Sequence, residues 1–125
     1  MTRDEFNSFC GSLPATSHVV QWGGSEVWKV GGSKGAKVFA IGGWNAGGAV
    51  LGITFKVSPL SFEILTEQPG LRPAPYLASR GFTWVQHHSE PGLDDAALRD
   101  YLAVSHRIVA AGLSRKVRRE LGLEG

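Results

Sequence analysis

The chain has 125 residues, of which 42% are hydrophobic and 19% charged, and its formal net charge is +2. This composition excludes a disordered or fibrous protein, and the length fits a single domain over residues 1–125. No stretch approaches the roughly 20 apolar residues that span a bilayer, the acidic start lacks a signal-peptide pattern, and Cys10 is the only cysteine, so we expect a protein of the reducing cytoplasm.

The first half of the sequence predicts one helix followed by four short strands. Thr2 and Glu5 have the spacing of a capping box, and apolar residues from Phe6 onward recur at helical spacing until Pro14 ends the helix. Four apolar runs separated by glycines follow, namely HVVQW, EVWKV, AKVFAI and VLGITFKV. The alternation in the last run predicts a strand with one face in the core and the other partly open.

The second half predicts three helices and one further strand. A Ser-Pro pair starts a short helix in which Leu60, Ile64 and Leu65 are expected to face inward, and QPG stops it. The run LRPAPYLASRGF indicates an extended loop leading into a strand, TWVQHH. Asp94 then caps the longest helix, and Ser114 caps a final one, SRKVRREL. Because strands and helices do not alternate, we predict an α+β fold, an antiparallel sheet with helices packed on one side.

The sequence contains no pattern typical of a catalytic or metal site. His87 and His88 are adjacent in a predicted strand and therefore point to opposite faces, where they cannot easily share an ion. The glycine clusters GGSKG and GGWNAGG lack the spacing of a phosphate-binding loop and are interpreted as hairpin turns. A nucleophile elbow, a zinc-protease motif and a buried carboxylate pair are all missing. We therefore expect no enzymatic activity, no cofactor and no metal ion.

Basic residues predominate between positions 29 and 80 and again in the last predicted helix, whereas acidic residues predominate between 81 and 110. The cations of the last helix can be explained as a solvated face that complements the helix dipole, or as phosphate contacts. Among the tryptophans, Trp22, Trp28 and Trp84 fit a core better than a base-stacking platform, and Trp44, in a glycine loop, is expected to be the most exposed.

Four segments resemble the MmcQ/YjbR family in order and spacing along nearly the whole chain. They are QWGGSEVWKVGGSKGAKVFAIGG, ITFKVSP, EQPGLRPAPYLASRGFTWV and YLAVSHRIVAAGLSRKVRREL. The EQPG and RPAPYL pieces are the most specific, while Gly81-Phe82 stands where a bulkier, more polar approach to the tryptophan strand is expected. The resemblance implies a CyaY-like fold of the double-wing type and a DNA-binding function, a label that rests largely on fold.

Two functions therefore remain open. The leading one is a cytoplasmic, monomeric DNA-binding protein that contacts phosphates without reading sequence. The contacting residues would be Lys29, Lys37, Lys56, Arg72, Arg80, Arg115, Lys116, Arg118 and Arg119. The alternative is a protein-interaction or small-ligand module without catalysis, in which the PAPY loop, Tyr76 and Trp84 form an apolar groove.

Overall fold

The computed structural model describes residues 1–32, 35–44, 50–75, 77 and 82–123. Within them the chain forms ten elements in the following order. They are α1 (Arg3–Ser12), β1 (Thr16–Gln21), β2 (Ser25–Val30), β3 (Lys37–Gly42), β4 (Ile53–Lys56), α2 (Pro59–Leu65), β5 (Leu71–Pro73), β6 (Trp84–His87), α3 (Asp95–Ala111) and α4 (Arg115–Glu120). No helix among the described residues is long and apolar enough to cross a membrane.

The six strands form one sheet in the order β1-β2-β3-β4-β6-β5, and every neighbouring pair is antiparallel. The α+β prediction is therefore confirmed. Strand β5 is a correction to the predicted loop, since Leu71, Arg72 and Pro73 pair with β6. Its three residues are too few to show alternation, and a proline is compatible with a strand at the edge of a sheet.

The pairing registers define which side of the sheet carries the core. Ala40 lies opposite Phe55, and Phe55 lies opposite Val85, so the three side chains point to the same side. Helices α1 and α3 pack on this side, with α3 crossing β3 and β4. The helices contribute the buried residues Phe6, Cys10, Leu65, Leu98, Leu102 and Val109. We call this side of the sheet the helix face and the other side the far face.

Helix α1 lies against the sheet because two glycines leave room for aromatic rings. A Cβ atom on Gly42 would lie 2.6 Å from Cε2 of Phe6, and one on Gly11 would lie 3.1 Å from the ring of Trp28. The indole Nε1 of Trp28 also donates a hydrogen bond of 2.9 Å to Oδ1 of Asn7. The helix and the sheet can therefore approach closely, because a glycine on one element leaves room for an aromatic ring of the other.

The far face is more closed than the sequence predicts. The registers align Val27, Ile41, Thr54, Gln86 and Arg72 in one row across five strands, and the first four of these are buried. Buried polar groups must be hydrogen-bonded, and here the amide of Gln86 accepts from Nε and Nη2 of Arg72 at 2.9 and 2.6 Å. The same amide donates to Oγ1 of Thr54 at 3.3 Å and to the backbone carbonyl of Trp44, just after β3, at 2.6 Å.

Two expectations about apolar side chains are wrong. In α2 only Leu65 is buried, whereas Leu60 and Ile64 are 68% and 53% exposed. A helix of two turns contains too few apolar residues for its spacing to identify the buried side. Trp44 is half-buried, and the most exposed tryptophan is Trp22, in the turn between β1 and β2.

The QPG turn after α2 holds the loop that leads into α3. The carbonyl of Gly70 accepts hydrogen bonds from the backbone N–H groups of His88 and Ser89 at 2.9 and 3.4 Å, and that of Pro69 accepts from Gly92 at 3.0 Å. Gly70 has a φ of +89°, and a Cβ atom there would lie 2.3 Å from the carbonyl oxygen of Ser89. Both the backbone conformation and the lack of space therefore require glycine at this position.

We predict that Gly70→Ala lowers the free energy of unfolding by about 3 kcal/mol or more, because strain from positive φ adds to a backbone clash. Gly23→Ala is the matched control, since Gly23 has a φ of +74° but nothing within 4 Å of the added carbon. It should cost only about 1 kcal/mol. Urea unfolding followed by tryptophan fluorescence measures both, and equal losses in the two variants would contradict the steric role of Gly70.

Candidate nucleic-acid interface

Acidic side chains gather at the end of the sheet where α1 and α3 begin. The two helix starts are brought together there, because the amino group of Met1 pairs with Asp95 at 2.9 Å. Nη1 of Arg3 also donates to the carbonyl of Gly24, in the turn between β1 and β2, at 3.1 Å. We define the acidic end by Asp4, Glu5, Glu26, Glu90, Asp94 and Asp95. Carboxylates at these positions stabilise the positive ends of the two helix dipoles.

Basic side chains gather at the opposite end, where α3 stops and α4 begins. Nζ of Lys37 donates to the carbonyl of Gly112, the C-terminal cap of α3, at 3.2 Å. Helix α4 lies close to the turn that connects β2 and β3, since a Cβ atom on Gly32 would lie 3.9 Å from the side chain of Leu121. We define the basic end by Lys29, Lys37, Lys56, Arg107, Arg115, Lys116, Arg118 and Arg119. Each end also contains a residue of the opposite charge, namely Arg3 at the acidic end and Glu120 at the basic end.

The strand lysines do not share one side of the sheet. Lys29 and Lys56 point to the far face, because each is one residue removed from a side chain of the helix face, Trp28 and Phe55 respectively. Lys37 lies on the helix face beside the end of α3. The basic end therefore has cations on both the helix face and the far face of the sheet.

Two other predicted contact residues are placed differently. Arg72, on the edge strand β5, is hydrogen-bonded to Gln86 on the far face, where it satisfies a buried amide. This bonding gives Arg72 a structural role. Arg80 lies outside the described residues, as does Tyr76 of the alternative apolar groove. Trp84, the other aromatic residue of that groove, is buried.

A groove of about 510 Å³ lies between α3, α4 and the segment that joins α1 to β1. Arg107 and Arg118 line it, and Nε of the half-buried Arg118 is shielded from solvent without a hydrogen-bond partner among the described residues. His106, on the groove wall, is fixed because its Nε2–H donates to the carbonyl of Pro14 at 2.7 Å. The ring of His106 also contacts Phe39 edge-on, with centroids 5.3 Å apart.

This groove suits an anion. The Nε–H of Arg118 has no acceptor among the described residues. Guanidinium groups bind carboxylate and phosphate oxygens through paired hydrogen bonds. Arg107 was not among the residues predicted from sequence. Its position in the last two turns of α3 is visible in the sequence, but its proximity to α4 depends on the turn after Gly112.

The acidic end contains a polar cluster around Glu26, which is almost buried. Its carboxylate is hydrogen-bonded to His18 and lies 3.3 Å from Nη1 of Arg3. The hydrogen bond from His18, with smaller contributions from Asn7 and Arg3, holds the pKa of Glu26 below its usual value. The ring of His18 stacks on Trp28 with centroids 4.7 Å apart. These contacts join α1 to β1 and β2, and they stabilise the negative charge of the buried Glu26 carboxylate.

A second cavity, of about 420 Å³, lies between α3, the start of β4 and the loop before α3. His87 lines it with only 6% of its surface exposed, and neither ring nitrogen has a hydrogen-bond partner among the described residues. Burial lowers the pKa of His87, so the ring is favoured in its neutral form. Within the described part of the chain no three His, Cys, Asp or Glu side chains are placed to hold a metal ion.

Cys10 is buried in the core, and burial raises the pKa of its thiol. A thiol that stays protonated is a poor nucleophile. The side chain therefore serves as a small core residue, which agrees with the interpretation from sequence.

The comparisons with known proteins identify the family. The sequence profile of the YjbR family matches residues 11–108. The chain belongs to the YjbR family. This result confirms the resemblance stated from sequence, and no protein with a curated description matches the chain.

Two solved structures resemble this YjbR-family protein in fold. The crystal structure of DR2400 from Deinococcus radiodurans, with a DUF419 domain, has a TM-score of 0.83 at 24% identity and covers 98% of this chain and 89% of the other. A Pseudomonas syringae protein solved by the Northeast Structural Genomics Consortium has a TM-score of 0.67 at 19% identity, covering 87% and 99%. At these identities the likeness concerns the fold alone.

We predict that His87 makes the protein less stable in mild acid. The unfolded chain binds a proton on this histidine below about pH 6.5, while the folded chain does so only at lower pH, so the free energy of unfolding falls as pH drops through that window. The slope contributed by one such group is at most about 1.4 kcal/mol per pH unit.

In His87→Gln this contribution to the slope should disappear, while the curves of the two proteins should run parallel above pH 7, where the histidine is neutral in both states. His88, whose pKa is also lowered by burial, remains in both proteins. Urea unfolding at a series of pH values gives the slopes. Parallel curves through the acidic window would show that His87 does not titrate differently in the folded state.

Proposed function

We propose that this YjbR-family protein is a small cytoplasmic DNA-binding protein whose basic end contacts phosphates without reading base sequence. The observation that carries the proposal is the groove between α3 and α4, which is lined by both Arg107 and the half-buried Arg118. The exposed side chains of Arg115, Lys116 and Arg119 extend this positive surface along α4. A cluster of this kind is the electrostatic feature that phosphate-binding proteins share.

The charges of α4 exceed what the helix dipole explains. Arg118 and Arg119 in the last turn complement the negative end of the helix. Arg115 and Lys116, however, lie in the first turn, where a cation opposes the dipole, and that turn has no acidic residue. Because these two residues weaken the helix that carries them, a contact with an external anion is the better explanation for them.

The proposed contacts are to the backbone of the nucleic acid. Helix α4 has six residues, which is less than two turns. Four of its side chains are cations, and none is an Asn or Gln of the kind that reads adenine. Lysine and arginine contacts to phosphates position a protein but carry no sequence information. The alternative of an apolar groove is less well supported, because Trp84 is buried.

We predict salt-sensitive binding that depends on the basic end. With about four phosphate contacts, the affinity for duplex DNA should fall about a hundredfold between 40 and 150 mM KCl. Arg115→Ala/Lys116→Ala/Arg119→Ala should weaken binding at low salt at least about tenfold, since phosphate contacts are lost regardless of sequence. Replacing the two arginines by lysine instead should preserve most of the affinity. Fluorescence anisotropy of labelled duplex and single-stranded DNA measures these changes.

Two arginines on α3 provide a matched pair for the same assay. Arg107→Ala removes a cation from the groove, and Arg99→Ala removes one from the same helix two turns nearer the acidic end. Arg107→Ala should weaken binding severalfold and reduce the salt slope by about one, while Arg99→Ala should have little effect. Equal effects would mean that net charge alone is responsible, and no binding at low salt would rule out the proposal.

A further inference from the structure

The two edges of the sheet differ in a way that concerns self-association. Strand β5 has three residues and ends in Pro73, features that prevent an edge from pairing with another chain. Strand β1 has six residues, TSHVVQ, with no charged residue and no proline. Among the described residues it pairs with β2 alone. In the part of the chain that the structure describes, β1 therefore has none of the protections that proteins usually place on a sheet edge.

Exposed apolar side chains accompany this edge. Val20 within β1 and Trp22 immediately after it are 55% and 56% exposed. The remaining positions of the strand are exposed or half-buried along its whole length. An edge of this kind can add another strand through main-chain hydrogen bonds, and the apolar side chains add contact area.

We propose that two copies of the protein pair through antiparallel β1 strands and continue one sheet across the dimer. A two-fold axis relates the copies, so each contributes the same residues. Antiparallel pairing also reverses the strand direction of the second copy. Because the charges are separated along this direction, the acidic end of each copy comes to lie beside the basic end of the other.

The occupant of the edge is a second copy because the charge separation along the strands is self-complementary when two copies pair antiparallel. Any extended peptide can form main-chain hydrogen bonds with β1, but a second copy also brings its basic end alongside the acidic end of the first. Complementary potentials favour the matching partner and fix its orientation. From sequence a monomer is expected, since which strand forms an edge depends on the strand order.

The test is sedimentation equilibrium of the full chain over a concentration series. Wild type should dimerise, and Val20→Lys should raise the dissociation constant at least about tenfold, because a lysine on an edge strand opposes pairing. The variant should fold, since Val20 lies opposite Glu26 in the register and a lysine there gains an opposite charge. Gln21→Lys, also at an exposed position, is a second variant of the same edge.

Leu60→Lys is the matched control, because it makes the same kind of change at an exposed apolar residue on α2. It should leave the dissociation constant within about twofold of wild type, and high salt should weaken the wild-type dimer through screening. A protein that stays monomeric up to about 1 mM would overturn the proposal. So would a dimer that both edge variants leave intact, one that Leu60→Lys disrupts equally, or one that salt does not weaken.

Discussion

The shared direction of α1 and α3 across the sheet is the constraint on which the rest of the structure depends. Phe6 packs over Gly42, and Tyr101 lies against Phe55 with ring centroids 5.8 Å apart, so both helices are held on the helix face. They begin at one end of the strands and finish at the other, which aligns their dipoles. Carboxylates accordingly gather at one end of the sheet and cations at the other, and the candidate interface lies at the cationic end.

The segments that identify the family hold this arrangement in place. The QPG turn receives three backbone N–H groups from the loop before α3 and so sets where that helix starts. On the far face, Arg72 satisfies the buried amide of Gln86. Both features concern folding rather than contact with a partner. A residue in a recognisable motif is therefore not by itself a candidate for function.

Local structure was readable from sequence to a large extent. The caps at Thr2, Ser58, Asp94 and Ser114 each accept the expected hydrogen bond, because capping depends only on neighbouring residues. Strand β5 and the buried side of α2 are not evident from the sequence, because pairing and burial are decided by distant parts of the chain.

The candidate site was only partly predictable for the same reason. The four cations of α4 lie within five consecutive residues and are evident from the sequence, whereas Arg107 joins them only through the turn after α3. Strand alternation separates Lys37 from Lys29 and Lys56, and a β-bulge in the β2–β3 pair shifts the register beside Lys29. Which cations share a surface thus follows from topology rather than from composition.

The central claim is that a polyanion binds the end of the fold where α3 stops and α4 begins. The most direct measurement is an NMR titration of isotope-labelled protein with a short DNA duplex at low salt, following the backbone amides. The account predicts shifts confined to α4, the last turn of α3 and the turn between β2 and β3, all reversed by added salt. Shifts centred on the acidic end or on the exposed face of α2, or none at all, would contradict it.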